Sequence, residues 1–324
     1  VWSEGVAHPN IALIKYWGKR SEKKNLPEVG SLSLTLDHLY TRTVLEEGEP
    51  IYLFQGTPLP PEEERRVKEI FTDLKVPPVL RYRSETNFPP RGGLASSASA
   101  GSALGVALLP FRRKRISRKK FLLAVLRFSG SAPRSLYGGF VLLTPSRDGV
   151  EVEPIFVPDL SRFRLLIFLC SSSEKEVPSR KGMILSKSSP YYRRWVETHT
   201  KDLKEGVSAL RKEDWEKFFL IMEINTFKMH TLPLTSSPPF WYWNSRTWEV
   251  LEGIQRGKRE GFHGGVTMDA GPHVKLLTFR EEAEQWEKFM KERIPDLSVT
   301  VVSPGGPPRL LVEGEEVYWE SFIV

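Results

Sequence analysis

Along this chain of 324 residues the hydrophobic pattern switches repeatedly between two periods. Asn10 to Ile14 and Ser31 to Leu36 alternate apolar and polar positions, as half-buried strands do. Further strands are expected near Thr41 to Leu45, Ile51 to Phe54 and Val79 to Arg83. Pro61 to Lys75 takes the helical period. Proline opens it, three glutamates follow, and Val67, Ile70, Phe71 and Leu74 share one face. Leu94 to Leu109 and Lys119 to Phe128 are expected helices. Phe140 to Thr144 and Arg164 to Cys170 are expected strands, the second buried on both faces. Long helices then dominate: Tyr191 to Arg211, Glu213 to His230 and Ser245 to Gln255. Strands at Gly265 to Asp269 and Val274 to Thr278 precede a helix from Glu281 to Arg293. Two last strands fall near Leu297 to Val302 and Arg309 to Val312. The pattern divides the chain near residue 185, into an α/β unit (1–185) and a helix-rich α+β unit (186–324).

Composition narrows the class. With 40% hydrophobic and 27% charged residues the chain suits a globular protein large enough for two domains. No apolar run approaches the roughly 20 residues of a membrane span, and the first residues lack a signal-peptide pattern. A single cysteine, Cys170, allows no intrachain disulfide and fits a reducing cytoplasm. The six histidines are scattered, so no protein-built metal centre is expected. The net charge of +7 admits nucleic acid as a partner. However, the densest basic run, Phe111 to Lys120, has no interleaved aromatics to stack bases. A positive field equally serves an enzyme with polyanionic substrates.

Three segments carry candidate chemistry. Asn10-Ile-Ala-Leu-Ile-Lys-Tyr-Trp-Gly-Lys-Arg20 ends a strand with clustered donors, which suit a phosphorylated small molecule; it also reads as a strand and a basic loop. Pro90-Arg-Gly-Gly-Leu-Ala-Ser-Ser-Ala98 leads two glycines into a helix whose first turn is small and hydroxylated. Unpaired N–H groups and the helix dipole favour a phosphate there, while small residues also suit close packing on a sheet. No Gly-Lys-Ser/Thr follows, so the segment is not a Walker A loop. Ser129 to Phe140 places hydroxyls and Arg134 in a loop that Gly130 loosens. Asp269 closes an apolar strand between turn formers, where a carboxylate can serve as base, orienting group or cap.

Taken in order, "NIALIKYWGKR", "LPEVGSLSLTL", "NFPPRGGLASSASAG", "SGSAPRSLYGGF", "EVPSRKGM", "MHTLPLTSSPPFWYW" and "VTMDAGPHV" resemble the diphosphomevalonate decarboxylases of the galactokinase–homoserine kinase–mevalonate kinase superfamily. The resemblance runs from about residue 7 to 279. It implies an α+β, two-domain small-molecule-kinase fold with mixed sheets and helices around a central cleft. It also implies ATP-dependent decarboxylation of mevalonate 5-diphosphate to isopentenyl diphosphate through 3-O-phosphorylation, with ATP and Mg²⁺, in a cytoplasmic homodimer that binds neither nucleic acid nor membrane. Tyr16, Lys19, Ser129, Ser131 and Arg180 would hold the diphosphate, with Trp17, Gly18, Gly130, Ser179 and Met183 around it. Arg134 would pair with the substrate carboxylate, Asn10 would orient it, and Asp269 would sit beside the tertiary hydroxyl. Gly92, Gly93, Leu94, Ala95, Ser96, Ser97 and Ala98 would cradle the ATP phosphates. Lys15, as a catalytic group, and Lys175 would approach ATP. Val29, Gly30, Pro133 and His273 depart from the family pattern. A decarboxylase of the 5-monophosphate, a mevalonate 3-kinase and a nucleic-acid-binding protein on the same fold are the rival readings.

Overall fold

The structure, a computed structural model, describes residues 1–77, 80–88, 96–171 and 176–324. It opens with β1 (Trp2–Ala7), β2 (Asn10–Ile14), the short β3 (Lys19–Ser21) and β4 (Leu26–Pro27), and β5 (Ser31–Thr35). β6 (Thr41–Glu47), β7 (Ile51–Phe54), β8 (Thr57–Pro58), α1 (Pro61–Leu74), β9 (Leu80–Thr86), α2 (Ser96–Leu108) and α3 (Arg118–Phe128) follow. Next come β10 (Phe140–Ser146), β11 (Gly149–Ile155), β12 (Phe163–Leu169), α4 (Ser179–Leu185), α5 (Tyr192–Arg211), α6 (Trp215–Leu234) and α7 (Ser245–Arg259). The chain then adds β13 (Gly265–Met268), β14 (Val274–Phe279), α8 (Arg280–Arg293), β15 (Ser298–Val302), β16 (Arg309–Val312) and β17 (Glu315–Val317).

Three main sheets organise these elements. Seven strands run in the order β17-β16-β1-β6-β9-β7-β8; two four-stranded sheets run β11-β10-β5-β2 and β13-β14-β12-β15. The division expected near residue 185 falls at the end of α4. β12, before it, shares a sheet with β13 to β15, and β16 and β17 return to the sheet of β1.

Local chemistry explains where the helices start and stop. Three early glutamates face the amino end of α1, and Lys75 in the left-handed region (φ 55°) closes it by donating to Phe71 and Thr72 carbonyls. α6 starts at Asp214, whose side chain accepts from the Lys217 amide. It runs past the expected end at His230 to Leu234, with Pro233 in its last turn. α7 likewise extends beyond Gln255 to Arg259, with three basic side chains facing its carboxyl end. β1 and β11 were not expected from the pattern.

Packing brings the elements together around the site. α2 lies directly on β1: a Cβ on Gly5 would stand 2.2 Å from the Ala103 carbonyl oxygen. A Cβ on Gly101 would stand 2.8 Å from Phe128 and Ala132, and one on Gly105 2.7 Å from Val125, so small residues along α2 do serve packing. A second core joins Ile11, Leu13, Leu32 and Leu34 to Phe163 and Leu165 of β12 and to Phe218, Ile221 and Met222 of α6. Each such side chain contributes about 1.5–3 kcal/mol by leaving water. That core packs β2 against α5 and α6, and Thr267 of β13 donates to the Ala12 carbonyl at 2.9 Å.

Candidate active site

Asp269 follows β13, and its side chain is 30% exposed between two lysines that are only 2% exposed. Lys15, just past β2, donates to Oδ1 at 2.6 Å; Lys275, on β14, donates to Oδ2 at 2.9 Å. The Lys15 ammonium also donates to the Ala12 carbonyl at 2.9 Å and the Thr267 hydroxyl at 3.0 Å. Burial pushes the Asp269 carboxyl up, but the two ammoniums outweigh it and hold the group well below the usual carboxylate range. Burial pulls Lys15 down to about 8 despite the opposing pull of Asp269.

Arg134 belongs to a short 3-10 turn, Ala132–Leu136, that begins with Pro133 near its amino end. Its Nε donates to Asn10 Oδ1 at 3.0 Å and one terminal nitrogen donates to Ser31 Oγ at 2.6 Å. Asn10 donates in turn to the Ser131 carbonyl at 3.1 Å and the Ser135 hydroxyl at 2.7 Å, so its orientation is fixed. The guanidinium stacks 5.6 Å from the Tyr16 ring centre. Burial lowers Arg134 to about 10, while Tyr16 and Asp269 act to raise it, so the fields of the two sites overlap.

Tyr16 leads onward to the next cations. Its hydroxyl is buried with no hydrogen-bond partner among the described residues, and burial pushes its pKa up to about 12. A Cβ on Gly130 would stand 2.2 Å from that hydroxyl, which is why only glycine fits there. Lys19 is buried; desolvation and then the Arg180 guanidinium pull it down to about 8. Ser129 Oγ lies 3.1 Å from both Ser131 Oγ and Ser97 Oγ, so these hydroxyls link the loop to the first turn of α2. Ser96 and Ala98 stand in that same turn. Gly92, Gly93, Leu94, Ala95 and Lys175 lie outside the described residues.

The remaining candidates line the region differently. Trp17 and Met183 are buried in a cluster with Val29, Trp195 and Tyr242. Gly18 turns the chain at φ +97°, with the Tyr192 hydroxyl against it. Ser179 and Arg180 open α4. The departures have local causes too. A side chain at Gly30 would meet Leu203 at 2.5 Å, and His273 Nδ1 accepts from the Cys170 amide at 3.1 Å.

Lys275 escaped the reading of the sequence, as did Thr267, Asn225 and Ser31. The signal for Lys275 was present: it is the one charged residue in the apolar strand Val274–Phe279, every neighbour of which is buried or half-buried. Of the six ionisable side chains Lys15, Lys19, Arg134, Arg180, Lys275 and Asp269, only Asp269 is anionic. Lys19 and Arg134 are buried, and among the described residues neither forms an ion pair with a carboxylate, which favours a polyanionic ligand.

The fold is that of the galactokinase–homoserine kinase–mevalonate kinase superfamily of small-molecule kinases. Residues 7–152 match the model of the diphosphomevalonate decarboxylase-like N-terminal domain, and residues 165–305 that of the mevalonate 5-diphosphate decarboxylase C-terminal domain. The chain belongs to the diphosphomevalonate decarboxylase family. Among solved structures it is similar to MDDEF in complex with MVAPP, AMPPCP and magnesium: 31% identity, 96% of this chain and 99% of that one covered, TM-score 0.86. The mevalonate diphosphate decarboxylase from Staphylococcus aureus gives 27% identity over 96% and 98% of the two chains, with a TM-score of 0.88. The diphosphomevalonate decarboxylase of Saccharomyces cerevisiae is 29% identical, covering 90% of this chain and 81% of the relative. Among the described residues, no helix is long and apolar enough to cross a membrane.

Proposed function

We propose that this chain converts mevalonate 5-diphosphate and ATP into isopentenyl diphosphate, CO₂, ADP and phosphate. The observation that carries the reading is the row of cations from Lys19 through Arg134 to Lys15 and Lys275, interrupted by the single carboxylate of Asp269. A diphosphate satisfies Lys19, Arg180, the orphaned Tyr16 hydroxyl and the Ser129 and Ser131 hydroxyls. The substrate carboxylate pairs with Arg134, which its bonds to Asn10 and Ser31 hold in place. This arrangement sets the tertiary 3-hydroxyl beside Asp269.

ATP delivers its γ-phosphoryl from the amino end of α2, where the helix dipole and the Ser96 and Ser97 hydroxyls suit phosphate. Among the described residues no group of three or more His, Cys, Asp or Glu side chains suits a metal. Magnesium, present in a related structure, would therefore be held by phosphate oxygens, water and a hydroxyl such as Ser97. When bound it neutralises the charge of the phosphates.

Phosphorylation of the 3-oxygen turns a poor leaving group into phosphate. Phosphate departs with the C–O electron pair, and the bond between carbons 1 and 2 supplies the pair for the new double bond as CO₂ leaves. The protein contributes position and charge. Asp269, locked as an anion between two ammoniums, is a weak proton acceptor; it orients the 3-hydroxyl by accepting its hydrogen bond. As the bond to ADP breaks and the 3-oxygen takes the phosphoryl group, the hydroxyl proton passes to a phosphoryl oxygen. Lys15 and Lys275 stand where the transferred phosphoryl group carries its charge. Cys170, the sole cysteine and buried, supports a cytoplasmic setting. Leu220 and Ile224, one turn apart and exposed on α6, support a homodimer by offering an apolar strip that a second copy can cover.

The test is stoichiometry. One CO₂ and one phosphate per ATP is expected. ADP formation without CO₂ would instead mark a 3-kinase that stops after phosphorylation.

A further inference from the structure

We propose that Asn225 and His199 are positioning residues: from α6 and α5 they grip both sides of the Lys15 peptide, so that its ammonium reaches Asp269 in one orientation. The inference rests on the reading of Lys15 and Asp269 given under the proposed function.

The need for a grip arises from the backbone. β2 pairs with β5 through Ile14, with an irregularity between Ala12 and Ile14, and the ladder stops before Lys15. The Lys15 side chain is 2% exposed, so its peptide groups must find partners inside the protein. The Lys15 amide donates to Asn225 Oδ1 at 2.7 Å, and its carbonyl lies 2.9 Å from His199 Nε2. Two side chains from two helices thus take the place of a neighbouring strand.

Both grips can face only one way. Asn225 Nδ2 donates to Asp202 Oδ2 at 3.0 Å, and a carboxylate only accepts, so the Asn225 oxygen must face the Lys15 amide. Asp202 is held in turn by Lys228, whose ammonium lies 2.9 Å from each of its oxygens. A carbonyl likewise requires a hydrogen on His199 Nε2. Burial pulls His199 down to about 4, which keeps the ring neutral, and Trp195 packs against it with ring centres 4.7 Å apart. Trp195, His199 and Asp202 follow helical spacing along one side of α5, and Asn225 and Lys228 do so on α6.

With its Cα fixed, Lys15 turns its ammonium back to the Ala12 carbonyl, Thr267 and Asp269. Thr267 also donates to the Ala12 carbonyl, at 2.9 Å, which fixes the same acceptor. A long lysine side chain is otherwise free to move, and misplacement by about 1 Å is enough to slow a positioned reaction. The groups facing this ammonium are Asp269 and the cations Lys275 and Arg134, with the neutral His230 ring nearby. Only Asp269 favours its charge, so loosening that contact makes Lys15 easier to deprotonate.

The test uses the full chain with Asn225→Leu, Asp202→Asn, His199→Leu and His199→Gln. It reads steady-state kinetics and the titration of Lys15, followed by NMR of ε-carbon-labelled lysine with Lys15→Arg for assignment. For Asn225→Leu and His199→Leu, kcat should fall at least about 10-fold while KM for both substrates moves less than about 3-fold. The Lys15 titration should move down by at least about half a pH unit. His199→Gln, whose amide can still donate to the carbonyl, should recover most of both losses. Asp202→Asn keeps the shape and should show the same changes at smaller size, which covers failure of Asn225→Leu to fold. An unchanged Lys15 titration and unchanged kcat, with only a lower Tm, would overturn the proposal. The titration needs no turnover, so it judges the grip even if the wild-type chain releases no CO₂, an outcome that would count against the proposed function instead.

Discussion

Lys275 and Asp269 meet at 2.9 Å on the side of the carboxylate opposite Lys15. This contact makes Asp269 an anion held from both sides, rather than a lone carboxylate waiting for a proton. Lys275→Met should therefore lower kcat at least about 10-fold and change KM by less than about 3-fold, the pattern of a contact that matters most in the transition state. Steady-state kinetics checks this. Unchanged kcat would mean that Lys275 serves only to satisfy a buried carboxylate.

Asp269→Asn keeps the shape and removes the charge. Turnover should fall by at least about 10²-fold while substrate binding survives. Arg134→Lys keeps the charge but loses the planar fork that reaches Asn10 and Ser31 together, so KM should rise as kcat falls. Binding by calorimetry alongside kinetics separates the two patterns. Near-normal turnover by Asp269→Asn would remove this residue from the chemistry.

The alkaline limb of kcat/KM should begin near pH 8. Lys15 and Lys19 are both lowered to about 8, chiefly by burial. Raising the pH through that value removes positive charge from groups that meet an anionic substrate, so kcat/KM must fall, not rise. Lys19→Met should make the limb shallower as well as raising KM. A profile flat to about pH 9.5 would contradict the assignment of both lysines.

Ser97 is exposed at the start of α2, and its hydroxyl lies 3.1 Å from Ser129. Ser97→Leu should weaken ATP binding by about 10-fold or more, with little change in Tm, because an exposed site costs little in packing. Calorimetric titration with ATP and a thermal melt test this together. Intact ATP affinity with a lowered Tm would assign Ser97 to packing.

Much of this protein was legible in its sequence, because the signals for helices and for the family are local. The proline and glutamates of α1 mark its start, and the ordered motifs around Asn10, Ser129 and Asp269 point to one family. What stayed hidden depends on contacts far apart in the chain. The bond between Lys15 and Asn225 spans 210 residues, and no motif announces it. Gly5 in β1 permits close approach of α2 only because Ala103 lies above it. Lys275 was readable in principle, as a charge inside an apolar strand, yet its partner could be known only once β13 and β14 were paired.

The most direct measurement is CO₂ release from mevalonate, its 5-phosphate and its 5-diphosphate, each with ATP and magnesium. Buried Lys19 and the orphaned Tyr16 hydroxyl favour the longer anion. kcat/KM for the 5-diphosphate should exceed that for the 5-phosphate by at least about 10²-fold, as a site built around polar partners discriminates, and mevalonate should give no CO₂. Equal or faster release from the 5-phosphate would contradict the diphosphate assignment.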